Sequence, residues 1–352
     1  MSADGDGSLS RSAQEGGATG IGSWPGDDMV HALGAVRDIL TDRPHLPELP
    51  QRGPGADLIG RGAALLVDLP VDLQPHGWRL VDSPGRDQRR AASWLRSDLD
   101  ALAQAFDGYA GPLKVQVAGP WTLAASLWLP RGERALTDPG ARREVVESLA
   151  AGVGDHLTAV RGAVPGAAIV VQLDEPSLTA VLAGRLPTAS GYGRVRALDP
   201  VEAEQGLTTV LHAVHVAGAG SVVHACAPEV PIALLARTGA GALSLDVGLL
   251  DAGAWEQLGE ALESGLRLWA GAVPTAVAPE SPDRPGGLPS DSAVAEAVRR
   301  PWRRVGLPAA GLRSVVVTPT CGLAGLSPAL ARLALTRAVS AARALADASY
   351  DD

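Results

Sequence analysis

The chain has 352 residues, 46% apolar and 20% charged, enough for one large α/β domain or two ordinary ones. A formal net charge of −9 with no basic stripe recommends no nucleic-acid partner, and no apolar run approaches membrane-spanning length. Met1 is followed by neither a charged nor an apolar signal region, so a cytoplasmic protein is expected, using its two cysteines for thiol or metal chemistry.

With one Phe and three Tyr the core must be built of Ala, Val and Leu, and the single lysine, Lys114, reads as compositional bias. Residues 1–16 lack periodicity and are expected to be a disordered tail. The run from Ala18 to Pro25 is a short strand closed by a Gly/Pro turn, and Asp27 or Asp28 caps a helix to about Leu40. Residues 43–82 allow two assignments. Either Arg43–Pro50 is a proline-broken strand followed by a helix over 56–67, or Ala63–Leu69 is the strand. A long amphipathic helix follows over 86–106, with Trp94, Leu95, Leu99, Leu102 and Phe106 at helical spacing.

From there the pattern is regular. Strands are predicted over 113–117, 168–173, 221–225, 242–245, 266–273 and 314–318. Helices alternate with them over 121–128, 138–164, 200–217, 230–237, 252–264, 292–305 and 327–348. Apolar strands alternating with amphipathic helices indicate a parallel sheet covered by helices. Counting the doubtful second strand, eight strand–helix units predict a single-domain α/β (β/α)8 TIM barrel over 17–352. An open doubly wound sheet is second, because no G-x-G-x-x-G follows the first strand.

The active site of such a barrel lies at the carboxyl ends of its strands. Those ends carry Ser23-Trp24, Gly119-Pro120, Asp174-Glu175, His224 and Cys226, Asp246, Pro274-Thr275 and Cys321. His224 and Cys226, two apart on a strand, project to one face. Cys321, ending a later strand, completes an N/S/S set that suits zinc, and Asp246 could add one oxygen. The plainer alternatives are buried core cysteines and a turn-capping aspartate. Zinc lowers the pKa of a bound thiol, whose sulfur is then a soft nucleophile suited to a carbon electrophile such as a methyl group.

Five motifs carry a family resemblance: Ile21-Gly-Ser-Trp-Pro25, Gly119-Pro-Trp-Thr-Leu123, Val171-Gln-Leu-Asp-Glu-Pro176, His224-Ala-Cys226 and Pro319-Thr-Cys-Gly322. In this order, from about residue 18 to the end, they resemble the C-terminal catalytic barrel of the cobalamin-independent methionine synthases. The resemblance implies an S-methyltransferase of methionine biosynthesis, similar to 5-methyltetrahydropteroyltriglutamate–homocysteine methyltransferase. It implies zinc on His224, Cys226, an acidic residue and Cys321, and transfer of a methyl group to homocysteine sulfur. It also implies Ser23 at the amino acid's carboxylate, Asp174 at its ammonium and, by motif order, Glu48 as a second ammonium ligand.

Three departures bear on this. The family's acidic zinc ligand is a glutamate, whereas Asp246 is a methylene shorter. The family's histidine after the seventh strand, which delivers a proton to the departing folate nitrogen, has no counterpart in Ala270–Thr275. The family's N-terminal barrel, which helps to bind folate, has no counterpart in these 352 residues. The last two touch only the methyl donor, leaving a methyl-folate or a methyl-corrinoid protein as alternatives. For a folate, Trp24, Trp121 or Trp128 would offer a stacking surface, and His76 or a water on Glu175 a proton. Two other readings are a uroporphyrinogen decarboxylase-like enzyme, which wants arginines around a porphyrin cleft, and a zinc-binding barrel that has lost activity.

Overall fold

The computed structural model describes residues 16–276 and 285–350; of the expected tail, all but Gly16 lies outside the described residues. The first strand, β1 (Gly17–Ala18), leads through an extended segment to α1 (Met29–Ile39), whose first turn is capped by Asp28 accepting from His31 N (3.0 Å). The next elements are α2 (Leu58–Leu65), a hairpin of β2 (Val71–Gln74) and β3 (Gly77–Leu80), and the long α3 (Arg86–Ala105). The sequence reading contained no such hairpin.

Strands and helices then alternate: β4 (Pro112–Ala118), α4 (Pro120–Ser126), α5 (Pro139–Ala163), β5 (Ala168–Asp174), α6 (Leu178–Leu182), α7 (Pro200–Val216) and β6 (Gly220–Ala225). After them come α8 (Ile232–Arg237), β7 (Ala242–Asp246), α9 (Ala252–Glu263), β8 (Arg267–Val273), α10 (Asp291–Arg304), β9 (Val316–Pro319) and α11 (Pro328–Ala348). Three of these helices start with a capping Asp or Ser directly before proline, at Asp138-Pro139, Asp199-Pro200 and Ser327-Pro328. Proline at the first helical position gives up an N–H that would have had no partner there.

Seven parallel strands run in the order β1-β9-β8-β7-β6-β5-β4, so the first and last strands of the chain are neighbours. The ring closes between β4 and β1 through the proline-broken run at 43–50, the first of the two sequence assignments. Leu46 N donates to Lys114 O (2.9 Å) on one side, and Glu48 N to Gly22 O (3.1 Å) on the other. Pro44, Pro47 and Pro50 have no N–H to give, so this eighth strand forms isolated bridges instead of a ladder. The residues of the alternative strand, 63–69, fall at the end of α2 and in the turn after it.

Helices bury their apolar stripes against the outside of the ring in one Ala/Val/Leu-rich core. Inside the ring, side chains lie in layers, because residues two apart on a strand share a face. Val222, Ala242, Trp269 and Val316, with Val170 against them, form an apolar floor. Two residues further along, Gln172, His224, Ser244 and Thr318 make a buried polar layer. A further two bring Asp174, Cys226, Asp246 and Thr320 to the rim. Among the described residues, no helix is long and apolar enough to cross a membrane.

Candidate metal and acceptor site

His224 projects from β6 and is 3% exposed. Its Nδ1 faces Ser244 O (3.1 Å) and Ser244 Oγ (3.0 Å), both on β7. A carbonyl only accepts, so Nδ1 carries the proton and Nε2 keeps a lone pair. That Nε2 is buried and has no hydrogen-bond partner. A buried polar atom left bare is costly in a finished core and is the ordinary condition of a metal ligand.

Cys226, two residues on, and Cys321, past β9, stand with their sulfurs 3.7 Å apart. Ligand atoms of His224, Cys226 and Cys321 all lie within 4.8 Å of one another. The contact between the two sulfurs lowers the pKa of the Cys321 thiol and pushes that of Cys226 up. A bound cation favours the thiolate form of both sulfurs. One imidazole nitrogen and two sulfurs suit zinc well.

These three residues line a cavity of about 200 Å³ together with Ser23, Glu48 and Asp174. Asp174 ends β5 and accepts from Gln172 Nε2 (2.7 Å). Burial raises its pKa to about 7, against the opposing pull of His224 and Lys114. Glu48 is also raised by burial, and Arg61 (Nε to Oε1, 3.5 Å) and Gln116 draw it back. Ser23 O accepts from Leu323 N (2.9 Å), which ties the first strand to the loop after β9. A Cβ on Gly322 would lie 2.1 Å from Ser23 Oγ, so that position must be glycine for Ser23 to face the cysteine loop.

Residues 17–344 match the family described as cobalamin-independent synthase, catalytic domain. The chain belongs to that family. It is therefore a methionine-synthase-like enzyme of the methyltransferase type. Among solved structures, a B12-independent methionine synthase from Shewanella sp. W3-18-1, in complex with selenomethionine, is 13% identical with a TM-score of 0.57. The alignment covers 95% of this chain and 98% of that one. A 2,3-dimethylmalate lyase of the PEP mutase/isocitrate lyase superfamily aligns at TM-score 0.41 and 14% identity, over 93% of this chain and 84% of its own. A β-galactosidase from the psychrophilic Marinomonas ef1 gives 0.44 and 14%, over 91% and 59%. No curated protein matches the chain in sequence.

The other residues named from the sequence are placed as follows around this family site. Asp246 stands outside the ligand group; its Oδ1 accepts from Gly248 N (2.9 Å) and caps the turn that follows β7. Burial raises its carboxyl above the usual range, the Gly248 contact opposes this, and Cys321 adds to it. Trp121 offers no stacking face, being 1% exposed, with its Nε1 donating to Ala203 O (2.8 Å) and its ring filling the space left by Gly206. Trp128 does not line the cavity either: Arg134 lies over its ring at 4.6 Å and His76 meets it edge-on at 5.1 Å. Trp24 is likewise buried. Glu175 is taken up by α4, its two oxygens accepting from Trp121 N (2.9 Å), Thr122 N (2.9 Å) and Thr122 Oγ1 (2.7 Å).

Ser244 escaped the sequence reading. It lies two residues before Asp246 as the lone hydroxyl of an apolar strand, and that isolation was the available sign. Ser244→Ala removes one of the two groups that set the imidazole's tautomer and angle. Metal affinity should fall by about 10–100-fold, the usual cost of losing an outer-shell partner. Titration with a competing chelator measures this, and an unchanged affinity would show that Ser244 O alone suffices.

Proposed function

We propose that this barrel transfers a methyl group to the thiol of homocysteine, forming methionine, with zinc held by His224, Cys226 and Cys321. The observation that carries the reading is the convergence of those three residues with Ser23, Glu48 and Asp174 on one cavity. Bound there, zinc supplies a Lewis acid that lowers the pKa of a substrate thiol. Asp174 and Glu48 receive the amino acid's ammonium, which adds a positive charge beside two carboxyls that burial has raised. Ser23, with its hydroxyl at the cavity wall, orients the carboxylate. In the transfer the thiol loses its proton, a sulfur–carbon bond forms, and the donor's bond to methyl breaks with the electron pair staying on the donor. Among the described residues, no arginine lines this cavity, which counts against a porphyrin decarboxylase. Reduced thiols at the rim fit a cytoplasmic setting.

For the donor we favour a methyl-corrinoid, whose cobalt keeps the electron pair without needing a proton. A folate nitrogen leaves only when protonated. Apart from His224, the six other histidines of the chain are His31, His45, His76, His156, His212 and His215, and none lines the cavity. Methylcobalamin, or a methylated corrinoid protein, should therefore outperform monoglutamyl methyl-folate in steady-state methionine formation at equal homocysteine. Efficient turnover with the folate would overturn the donor assignment. Failure with every donor would overturn the enzyme reading and leave a metal-binding barrel without activity.

A further inference from the structure

Lys114 is the only lysine among 30 basic residues, and it sits fully buried inside the ring on β4. Its Nζ has three oxygens around it: Ile21 O (2.5 Å), Gln116 Oε1 (3.1 Å) and Gln172 Oε1 (3.0 Å). Burial pulls the Lys114 pKa down, with Asp174 and Glu48 drawing it back up. Three acceptors around one nitrogen call for the ammonium form, whose three donors are then all used, none of them on a carboxylate. Three acceptors around a single nitrogen suit a tetrahedral ammonium and not a planar guanidinium. A chain that uses arginine everywhere else thus keeps its one lysine where arginine does not fit.

The contacts have a direction. An ammonium accepts no hydrogen bond, so each glutamine must turn its oxygen towards Lys114 and its NH₂ group away. For Gln172 this aims one N–H at Ile21 O (2.9 Å) and the other at Asp174 Oδ1 (2.7 Å). For Gln116 it aims the NH₂ at Leu46 O (2.7 Å), beside Glu48, whose carboxyl it helps to keep ionised. One buried charge therefore fixes the polarity of two amides, and each amide addresses one of the two carboxylates on the cavity wall. Without Lys114 either amide is free to flip, and a flipped Gln172 would present an oxygen to the Asp174 carboxylate.

We propose that Lys114 is a positioning residue of the acceptor site, acting through Gln172 on Asp174 and through Gln116 on Glu48 to set the two carboxylates for the substrate's ammonium. The inference rests on the reading that Asp174 and Glu48 receive an amino group. Its chemistry is specific to the amine end of the substrate and separate from the sulfur end, since the hydrogen bonds of Lys114 go to Ile21, Gln116 and Gln172 and not to His224, Cys226 or Cys321.

The test compares homocysteine with 4-mercaptobutyrate, the same thiol acid without the amine. Wild-type protein should prefer homocysteine, and Lys114→Met should lose about ten-fold in homocysteine affinity while binding 4-mercaptobutyrate and zinc as before. A purely architectural lysine would move both thiols alike or neither. Protein labelled with ¹⁵N-lysine gives a single ζ-nitrogen resonance, which should shift on saturation with homocysteine and stay in place with 4-mercaptobutyrate. This second measurement needs no variant, so it decides the matter should Lys114→Met fail to fold. A wild type that binds both thiols equally would remove the ammonium reading of Asp174, and this proposal with it. A wild type that prefers homocysteine, with that preference intact in Lys114→Met or with an unmoved ζ resonance, would overturn the role of Lys114 alone.

Discussion

Cys226→Ser and Cys321→Ser should each strip the protein of its metal, taking occupancy from about one zinc per chain to a small fraction of that. Serine nearly matches cysteine in size but is a hard, weakly acidic oxygen donor, so a site of one nitrogen and two sulfurs loses one of its two soft ligands. The fold should survive, because Cys226 is only half-buried and Cys321 is exposed. The loss should exceed the effect of Ser244→Ala, which removes an outer partner and no ligand. Metal analysis of purified protein, with circular dichroism to show that both variants fold, is the measurement. Wild-type zinc content in both would refute the site.

Asp174→Asn should weaken homocysteine binding by about ten-fold or more while zinc content stays at the wild-type level. The amide keeps the size of the carboxylate but not its charge, and a hydrogen bond to a charged group contributes about 1.5–3 kcal/mol. The exchange also disturbs the contact from Gln172 Nε2 (2.7 Å), since an asparagine can place its own NH₂ there. Calorimetry with homocysteine and with a thiol acid lacking the amine separates the two ends of the substrate. A variant that keeps wild-type affinity for homocysteine would show that the ammonium is held elsewhere.

The order of strands and helices was legible because the period of apolar residues changes cleanly between β4 and the end of the chain. The doubtful stretch was doubtful for a physical reason: three prolines in 43–50 erase ladder donors, so a barrel strand there looks like a loop. The hairpin of β2 and β3 was hidden for a related reason, since two four-residue strands with mixed burial leave little periodic trace. In the site, His224, Cys226 and Cys321 were legible because few other residue types can do what they do at a strand end. Asp246 was left open between two roles because aspartate is equally apt as a ligand and as a cap, and spacing does not choose between them. Trp24 and Trp121, near the rim, follow the commonest rule for large aromatics, which is packing. The interior polar layer was missed because Lys114, Gln116 and Gln172 alternate with apolar residues on strands that otherwise look wholly apolar.

That Lys114 is both solitary and sealed within the ring has a consequence at the opposite face of the molecule. The exterior carries no lysine side chain. Reagents that acylate or crosslink lysine side chains find none on the surface of these 352 residues when folded, and every side-chain cation that surface offers a partner is a guanidinium or an imidazolium. Arginine binds carboxylates and phosphates through a flat two-pronged contact, where lysine acts as a mobile point charge. Whatever meets this surface therefore meets a directional set of cations, and any lysine-specific mark on the protein would first require the barrel to open.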